Sequence, residues 1–575
     1  MKKYIIIILF VPFCLSAQVG LGTIAPKGML DISSGNSGLV IPRVTKIEDV
    51  TDGNGNNPLD GTVVYDLSRN QTCFRINGSW ICTCNYSGSP SLTVNRPDYS
   101  NISTYIKASN TNAGDSFSSM SISEDGSRLA VGATGEDSNA TGINGNQFNN
   151  SASNSGAVYI FRRNGAIWIQ EAYIKASNTE SNDYFGFSLK LSEDGSRLAV
   201  GATGEDSNAT GVNGNQSNNS VSGSGAVYIF RRSGTTWTQE AYIKASNPDT
   251  ADAFGFDIDL SDDGSRLAVG AQYERSNATG VNGNQANNSL TQAGAVYVFN
   301  RSGTTWSQEA YIKASNTGSG DSFGNNLSIN SDGTLLAVGA RWEASNATGI
   351  NGNQADNSAT YAGAVYVFNR IGTTWTQGAY IKASNTGVGD SFGFSISLSD
   401  SGNHLAVGAM NEASNATGIN GNQSNNSASY AGAVYVFSRS AGAWTQEAYI
   451  KASNTETVDL FGSYLDLSGD GARLVVGAHQ EDSNARGING NQFNNSASNS
   501  GAVYVYTRCG STWIQESYIK TSNSETGDHV GVVSLSGNGL YLAIGTASED
   551  SNATGINGNQ WNNSAADSGA VYIIE

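Results

Sequence analysis

Short segments in which hydrophobic and polar residues alternate recur along the chain from about residue 100 to the C-terminus. Phe185–Leu191 has the period of a half-buried β-strand, and the Asp194-Gly195 pair that follows is typical of a tight hairpin turn. Leu198–Ala202 is a short apolar run suited to the interior of a sheet. Beyond a long polar loop, Gly225–Phe230 and Trp237–Ile243 have the composition of two further strands. The pattern therefore predicts a unit of four antiparallel strands.

This unit is repeated, and the tripeptide Tyr-Ile-Lys marks each copy. The spacing between successive copies is 68 residues once and 69 residues five times. Seven copies of a four-stranded unit predict an all-β protein built as a seven-bladed β-propeller. The tripeptides begin at Tyr105, Tyr173, Tyr242, Tyr311, Tyr380, Tyr449 and Tyr518.

The copies also predict how the ring closes. The first three strands of the unit occur seven times, but the tryptophan-bearing fourth strand occurs only six times. A strand-like segment at residues 104–108 lies before the first complete unit and would have no partner in a linear array. We expect this segment to complete the last blade, because the pairing would hide the exposed edges at both ends of the repeat region.

The N-terminus has the pattern of an export signal. Lys2 and Lys3 precede an apolar run at residues 4–13, and small residues before Gln18 provide a cleavage site. No later run approaches the ~18 apolar residues of a membrane-spanning helix. We therefore predict a signal peptide at residues 1–17 and a secreted or cell-surface protein whose mature chain has no transmembrane segment. The net charge of −18 argues against nucleic acid as a partner, since that partner requires a basic surface.

The rest of the chain divides into a small β-rich module at residues 18–95 and the propeller at residues 96–575. The module contains Cys73, Cys82 and Cys84. Export to an oxidising environment allows a disulfide between Cys73 and either Cys82 or Cys84. The remaining cysteine beyond the signal, Cys509, is expected to take no part in a disulfide.

Three elements of each copy carry a family resemblance, namely Phe185-Gly186, Leu198–Ala202 and Gly225–Tyr228 with their counterparts. They resemble the FG-GAP repeats of integrin α-subunit propellers and their bacterial relatives. The resemblance implies a seven-bladed ring used for adhesion or ligand binding, often with bound calcium. Calcium-binding blades of integrins have Asp-x-Asp-x-Asp-Gly loops, whereas this chain has only turns such as Ser192–Gly195 at that place. The integrin calcium sites are therefore not carried over.

A second resemblance lies in the module at residues 18–95. The resemblance rests on four segments, Val19–Thr23, Leu30–Ile32, Gly38–Arg43 and Phe74–Trp80. These segments are similar to small N-terminal modules of exported Bacteroidetes-type proteins and of some phage tail fibres. The resemblance implies a module that can trimerise, and the alternative is a small β domain that spaces or docks the ring.

The long loop between the second and third strands of each copy has the core Asn-Gly-Asn-Gln, preceded by a glutamate. These loops differ less among the copies than the first strands do, so some constraint acts on them. One interpretation is structural, because asparagine and glycine form turns and tie a loop to itself. The other is that loop oxygens hold a calcium ion. The acidic loop residues are Glu136, Asp137, Glu205, Asp206, Glu274, Glu343, Glu412, Glu481, Asp482, Glu549 and Asp550.

An aspartate lies just before the first strand of every copy. In a four-stranded blade, the loop that enters the first strand and the loop between the second and third strands leave on the same face. We therefore expect the aspartates to lie near the loop glutamates on a ligand-binding face. The alternative is that each aspartate caps a turn beside the Phe-Gly bend. The aspartates are Asp115, Asp183, Asp252, Asp321, Asp390, Asp459 and Asp528.

The repeats do not present the pattern of an enzyme. His404, His479 and His529 lie in three different copies and suggest no catalytic triad, and the carboxylates recur sevenfold. We expect a non-enzymatic extracellular binding or adhesion protein that engages a protein ligand through the loop face, with calcium as a candidate cofactor. The alternative is a lectin-like propeller that binds glycans between blades. Fourth-strand tryptophans such as Trp237 and Trp306 could then stack on sugars, although packing between blades is their commoner role.

Overall fold

The described part of the chain, in a computed structural model, consists of β-strands and turns and contains no helix. The described residues are 19–21, 30–32, 43–44, 50, 62–66, 71–76, 79–82, 99 and 101–575. Within these ranges there is consequently no helix that could span a membrane. The predicted signal peptide at residues 1–17 lies outside them. The chain divides into two compact units, residues 1–93 and residues 94–575.

The described strands of the first unit form two small sheets. The first two strands pair in parallel. The next four form one sheet, in which the first pair is parallel and the other two pairs are antiparallel. The strands are β1 (Val19–Leu21), β2 (Leu30–Ile32), β3 (Arg43–Val44), β4 (Val63–Asp66), β5 (Gln71–Ile76) and β6 (Ser79–Cys82).

The predicted disulfide of this unit concerns β5 and β6. Cys73 and Cys82 are directly opposite each other in the antiparallel register of the two strands. Their side chains and all of Cys84 lie outside the described part of the structure, so the pairing remains a prediction. Cys509 is disulfide-bonded, and the expectation that it takes no part in a disulfide is wrong. Such pairing depends on proximity in the folded chain, which spacing along the sequence did not indicate for Cys509.

The second unit is a ring of seven four-stranded antiparallel blades, which confirms the predicted propeller. In each blade the first strand is innermost, and the strand that carries Tyr-Ile is outermost. The innermost strands of neighbouring blades contact each other in a closed circle, from blade 1 through blade 7 and back to blade 1.

The strands of the blades, numbered in chain order, have the following bounds. Blade 1 contains β8 (Phe117–Ile122), β9 (Arg128–Ala133), β10 (Ala157–Asn164) and β11 (Ile167–Ile174). Blades 2 and 3 contain β12 (Phe185–Leu191), β13 (Arg197–Ala202), β14 (Ala226–Ser233), β15 (Thr236–Ile243), β16 (Ile258–Leu260), β17 (Arg266–Ala271), β18 (Ala295–Ser302) and β19 (Thr305–Ile312). Blades 4 and 5 contain β20 (Phe323–Ile329), β21 (Leu335–Ala340), β22 (Ala364–Ile371), β23 (Thr374–Ile381), β24 (Phe392–Leu398), β25 (His404–Ala409), β26 (Ala433–Ser440) and β27 (Ala443–Ile450). Blades 6 and 7 contain β28 (Phe461–Leu467), β29 (Arg473–Ala478), β30 (Ala502–Cys509), β31 (Thr512–Ile519), β32 (Val532–Leu535), β33 (Leu542–Thr546), β34 (Ala570–Ile574) and β7 (Ile102–Ile106).

Blade 7 is completed by the strand from the start of the repeat region, as predicted. β7 pairs antiparallel with β34, and Tyr105 lies opposite Tyr572. Three strands of this blade therefore come from one end of the ring sequence and the fourth from the other end. The pairing leaves β34 without an open edge, which closes the ring.

A second ring of contacts runs through the short turns between the first and second strands of the blades. The backbone N–H of Glu124 donates to the carbonyl of Glu193 at 3.0 Å, and Glu193 donates in turn to Asp262 at 3.1 Å. The series continues from blade to blade until Asn538 donates to Glu124 at 3.3 Å. The turns were predicted only as local hairpins, but they also join each blade to the next.

Glycine in the second strand lets neighbouring blades approach closely. A Cβ atom on Gly201 would lie 2.3 Å from the carbonyl oxygen of Gly255 in the next blade and 2.4 Å from the hydroxyl of Ser188. Gly270 and Gly339 have the same close approach to the next innermost strand. Any side chain at these positions would push two backbones apart.

We predict that Gly201→Ala lowers the melting temperature because it forces blades 2 and 3 apart. Gly211→Ala is the matched control, since nothing lies within 4 Å of the Cβ position of Gly211. That residue has a positive φ of 67°, so its substitution costs about 1–2 kcal/mol of backbone strain. Differential scanning calorimetry should show the larger fall for Gly201→Ala, and equal falls would contradict close blade contact.

Candidate functional site

The Asn-rich loops are folded tightly against their own blades, and blade 2 shows the arrangement. Asn213 lies in the left-handed region with φ of 56° and donates its backbone N–H to the carbonyl of Tyr242 at 2.7 Å. Its side-chain oxygen accepts the N–H of Tyr242 at 3.0 Å. Gln216 accepts a hydrogen bond from Ser177, which follows the outermost strand of blade 1. Asparagine and glutamine in the loop core thus form structural ties within and between blades.

A buried ion pair anchors the start of every loop. In blade 2, the ammonium group of Lys244 lies 2.7 Å from a carboxylate oxygen of Glu205, and at most 1% of either side chain is exposed. The lysine is the third residue of the Tyr-Ile-Lys tripeptide. The seven pairs, at 2.7–3.0 Å, are Lys107–Glu549, Lys175–Glu136, Lys244–Glu205, Lys313–Glu274, Lys382–Glu343, Lys451–Glu412 and Lys520–Glu481.

Other donors complete the surroundings of each glutamate. Tyr242 donates its hydroxyl to Glu205 at 2.7 Å, and Asn178 from the connector between blades 1 and 2 donates its amide at 3.0 Å. Asn178 also accepts the hydroxyl of Tyr228 at 2.6 Å. Burial lowers the pKa of Lys244, and Glu205 opposes this shift. Each glutamate therefore joins its loop to its own outermost strand and to the preceding blade.

The seven aspartates lie near these pairs, but they are buried too, with exposed fractions of 1–6%. Asp183 accepts the backbone N–H of Glu180 at 2.8 Å, which caps the turn before the first strand. Burial, together with repulsion from Glu205 and other nearby carboxylates, raises the pKa of Asp183 to about 7. Burial likewise raises the pKa of Asp115, Asp252, Asp459 and Asp528 to about 7 and that of Asp321 and Asp390 to about 6.

The second acidic residue of four loops is half-buried and closes the loop on itself. Asp206 accepts the backbone N–H of Gly223 at 2.7 Å, and Asp137 accepts that of Asn154 at 2.8 Å. Asp482 and Asp550 make the same contact with Asn499 and Asp567. These carboxylates fix the far end of the loop to its beginning.

The loop glutamates do not fit a calcium site. Calcium takes about 6–8 oxygen ligands, and these carboxylates already accept hydrogen bonds from an ammonium group, an amide and a backbone N–H. Among the described residues, no group of three or more histidine, cysteine, aspartate or glutamate side chains is arranged to hold a metal ion. The hydrogen bonds of Asn213 and Gln216 agree with the structural interpretation of the loops, in which asparagine and glycine form turns and tie each loop in place.

The fourth-strand tryptophans pack between blades and are not available to stack on sugars. Only 2% of Trp237 and 3% of Trp306 is exposed. The indole N–H of Trp237 donates to Glu171 in blade 1 at 2.8 Å, and that of Trp306 donates to Glu240 in blade 2 at 2.9 Å. The sugar-stacking role considered for these two residues is therefore wrong, because both rings are covered by the neighbouring blade.

Sequence reasoning missed the aromatic residues that the loops do expose. The position after the Asn-Gly-Asn-Gln core is Ser217, Ala286, Ala355 and Ser424 in blades 2–5. In blades 1, 6 and 7 it is Phe148, Phe493 and Trp561, which are 82%, 76% and 59% exposed. These three blades are neighbours in the ring, because blade 7 lies between blades 6 and 1. We call Phe148, Phe493 and Trp561 the aromatic arc; a comparison of the seven loop tips would have revealed it.

Further exposed rings lie at the same end of the propeller. Eight aromatic side chains of residues 101–575 are exposed by more than a third. All eight belong to the long loops, to the segments that enter the first strands or to the first half of those strands. Besides the aromatic arc, they are Tyr184, Phe187, Tyr361, Tyr430 and Tyr464.

We predict that Lys244→Met lowers the free energy of unfolding by about 3–5 kcal/mol, because it leaves the charge of Glu205 buried without a cation. The double variant Lys244→Met/Glu205→Leu should recover much of the loss, since it removes both charges. Disruption of the exposed Arg486–Glu525 pair by Arg486→Gln should cost less than about 1 kcal/mol. Denaturant unfolding measures all three, and a small loss for Lys244→Met would contradict a structural role for the pair.

We also predict that chelation does not change thermal stability. A ligand that binds only the folded protein must raise its melting temperature, so removal of a bound calcium ion would lower it. Because the loop glutamates are occupied by lysines, EDTA should leave the melting temperature of the propeller unchanged. A fall that excess calcium reverses would contradict this prediction and show that the protein binds calcium.

Comparison with known families agrees with this architecture. The model of the FG-GAP repeat matches residues 168–230, 237–299, 306–368, 375–437 and 444–506, which together make up more than half of the chain. Each match runs from the outermost strand of one blade through three strands of the next. The model of a phage tail like trimerisation region matches residues 18–95. No curated protein matches the chain. The chain belongs to the FG-GAP repeat family.

Proposed function

We propose that this protein is a non-enzymatic extracellular binding protein that engages a protein ligand through the loop face of its propeller. The observation that carries the proposal is the distribution of exposed aromatic residues. All eight such residues of the ring lie at the loop face. The signal-like N-terminus supports the extracellular location.

Exposed aromatic rings favour a contact surface over a solvated one. Large apolar side chains in water are unfavourable, and tyrosine, tryptophan and phenylalanine are enriched at the centres of protein interfaces. Blades 2–5 show that a serine or alanine is accepted at the position of the aromatic arc. The fold therefore does not require Phe148, Phe493 or Trp561, and a partner that covers them explains their presence.

The aromatic arc is held on rigid supports. Asn146 accepts the backbone N–H of Phe148 at 3.1 Å, and Asn559 does the same for Trp561. Arg486 lies with its guanidinium carbon 5.1 Å from the centre of the Trp561 ring. Because these loops are already ordered, binding through them costs little conformational entropy.

The N-terminal region would make ligand binding multivalent. A trimerisation region at residues 18–95 suggests a trimer, which would carry three propellers. Linked binding sites raise the overall affinity for a surface with repeated ligands without any new contact. Weak binding by one propeller would then suffice for firm attachment of the whole assembly.

A second candidate function is glycan binding, and a specific feature favours it. A shallow polar groove lies between blades 1 and 2, lined by Thr141, Asn178, Glu180 and Gln216 and bordered by Ser217. Phe148 is the counterpart in blade 1 of Ser217 in blade 2. It therefore lies beside the junction between blades 7 and 1, as Ser217 lies beside the junction between blades 1 and 2. An exposed ring beside amide and hydroxyl groups has the chemistry that sugar rings require.

The test is binding by a variant in which Phe148, Phe493 and Trp561 are all replaced by serine, the residue of blades 2 and 5. Immobilised protein would capture ligands from surface extracts of the native environment, and the same protein would be applied to a glycan array. We expect saturable capture of a protein and at least about a tenfold loss in the variant. The melting temperature should not change, because the replaced rings are exposed.

The matched control is Ile167→Ser/Ile371→Ser, which removes two side chains exposed by 66% and 81% at the opposite face. This control should bind like the unaltered protein. Array binding that the aromatic-arc variant loses would favour the glycan function instead. Capture that the aromatic-arc variant retains in full would overturn the proposal that this arc contacts the ligand.

A further inference from the structure

The loop-face end of the central channel departs from sevenfold symmetry. The residue after each second strand is small in blades 1, 2 and 7, but it is Gln272, Arg341, Met410 and His479 in blades 3 to 6. The residue directly after the Phe-Gly pair is Phe187 in blade 2, Phe256 in blade 3 and Phe394 in blade 5. We call the site formed by blades 3 to 5 the channel mouth. Its members are Phe256, Gln272, Tyr273, Ser322, Arg341, Trp342 and Phe394.

The channel mouth contains buried polar groups without partners. Gln272 is 0% exposed, and neither its amide nitrogen nor its amide oxygen has a hydrogen-bond partner. Ser322 is also 0% exposed, and its hydroxyl has no partner. In blade 5 the equivalent Ser391 receives a hydrogen bond from Asn411 at 3.1 Å, whereas Trp342 stands at the asparagine's place in blade 4. Because buried polar groups are nearly always paired, these unpaired groups mark a place that the stability of the fold does not explain.

Arg341 is the charged group of the channel mouth. Its guanidinium carbon lies 4.4 Å from the centre of the Trp342 ring and 5.5 Å from that of Phe394. Its Nε is buried without a hydrogen-bond partner, and no carboxylate of residues 101–575 forms an ion pair with it. Burial lowers the pKa of Arg341. In a chain with a net charge of −18, a half-buried guanidinium without a carboxylate is unusual.

These groups lie close together. The second strand of blade 3, β17, packs against the first strand of blade 4, β20, and Gln272 follows β17 directly. The backbone N–H of Trp342 donates to the carbonyl of Asp321, which precedes Ser322. On the other side, the ring of Tyr273 lies 6.3 Å from that of Phe256. The guanidinium of Arg341 thus lies between the rings of Trp342 and Phe394, and two further rings lie in blade 3.

We propose that the channel mouth binds a carboxylate group carried by a flat apolar body. A guanidinium presents two parallel N–H donors that match the two oxygens of a carboxylate. The aromatic rings would contact the apolar body. The inference rests on the proposed binding function, because Arg341 and Trp342 follow the loop-face end of β21, but it concerns a place separate from the aromatic arc.

The test is isothermal titration calorimetry of the full chain with phenylacetate and with its neutral counterpart phenylacetamide. We expect saturable binding of phenylacetate and about tenfold or more weaker binding of phenylacetamide. Arg341→Gln should weaken phenylacetate binding to the level of phenylacetamide while the melting temperature stays the same or rises. Arg231→Gln is the matched control, because Arg231 is exposed near the end of β14 that leads into the hairpin of the opposite face, and it should bind like the unaltered protein.

Two further arms identify the source of the carboxylate and separate this proposal from the preceding one. Tighter binding of the peptide N-acetyl-Asp-Phe-amide than of phenylacetate would point to an acidic side chain of a protein ligand, and the reverse order to a free small acid. Serine at all three positions of the aromatic arc should leave phenylacetate binding intact. No saturable binding of either acid, or equal affinity in Arg341→Gln, would overturn the channel-mouth site without affecting the aromatic arc.

Discussion

The buried pair between a loop glutamate and the lysine of the outermost strand is the contact on which each blade depends. It joins the beginning of a long polar loop to a strand about 40 residues further along the chain, as between Glu205 and Lys244. A buried ion pair gains little over an apolar pair in net stability. It does favour one register of the outermost strand, because a slipped register would leave two buried charges without partners. Asn178 extends the contact to the neighbouring blade, so that the same carboxylate fixes loop, strand and blade order.

This constraint explains why the loops differ so little among the copies and why their glutamates are buried. The loop glutamates and the aspartates that precede the first strands lie on the expected face, yet they are buried beneath the loops that they hold. Positions outside the hydrogen-bond network are free to vary, and these are the positions where the seven copies diverge. The loop tips carry serine or alanine in four blades and aromatic rings in three adjacent ones. The residues that all copies share thus form a rigid ring, and the residues that differ between copies determine the chemistry of its surface.

The two ends of the central channel differ in chemistry. At the loop face, the rings of Trp342 and Phe394 flank Arg341. At the opposite end, the short turns place Glu124, Glu193, Asp262 and Asp400 around the channel. Burial and mutual repulsion raise the pKa of Glu124 to about 8 and that of Asp400 to about 6. The ring of backbone hydrogen bonds between the turns holds these like charges together, since the backbone contacts are independent of side-chain charge.

The sequence alone determined the number of blades, the four strands in each and the closing role of the segment at Tyr105. Strand periodicity and turn residues are local, and a repeat count requires no knowledge of distant contacts. It also indicated that the loops were constrained, but not by what. Seven lysines and seven glutamates recur in the sequence, but the sequence does not show that they pair. Lys244 reaches Glu205 only because the outermost strand folds beside the loop. The burial of Trp237, the exposure of Phe148 and the isolation of Arg341 were likewise decided by tertiary structure, because each depends on what a neighbouring blade covers.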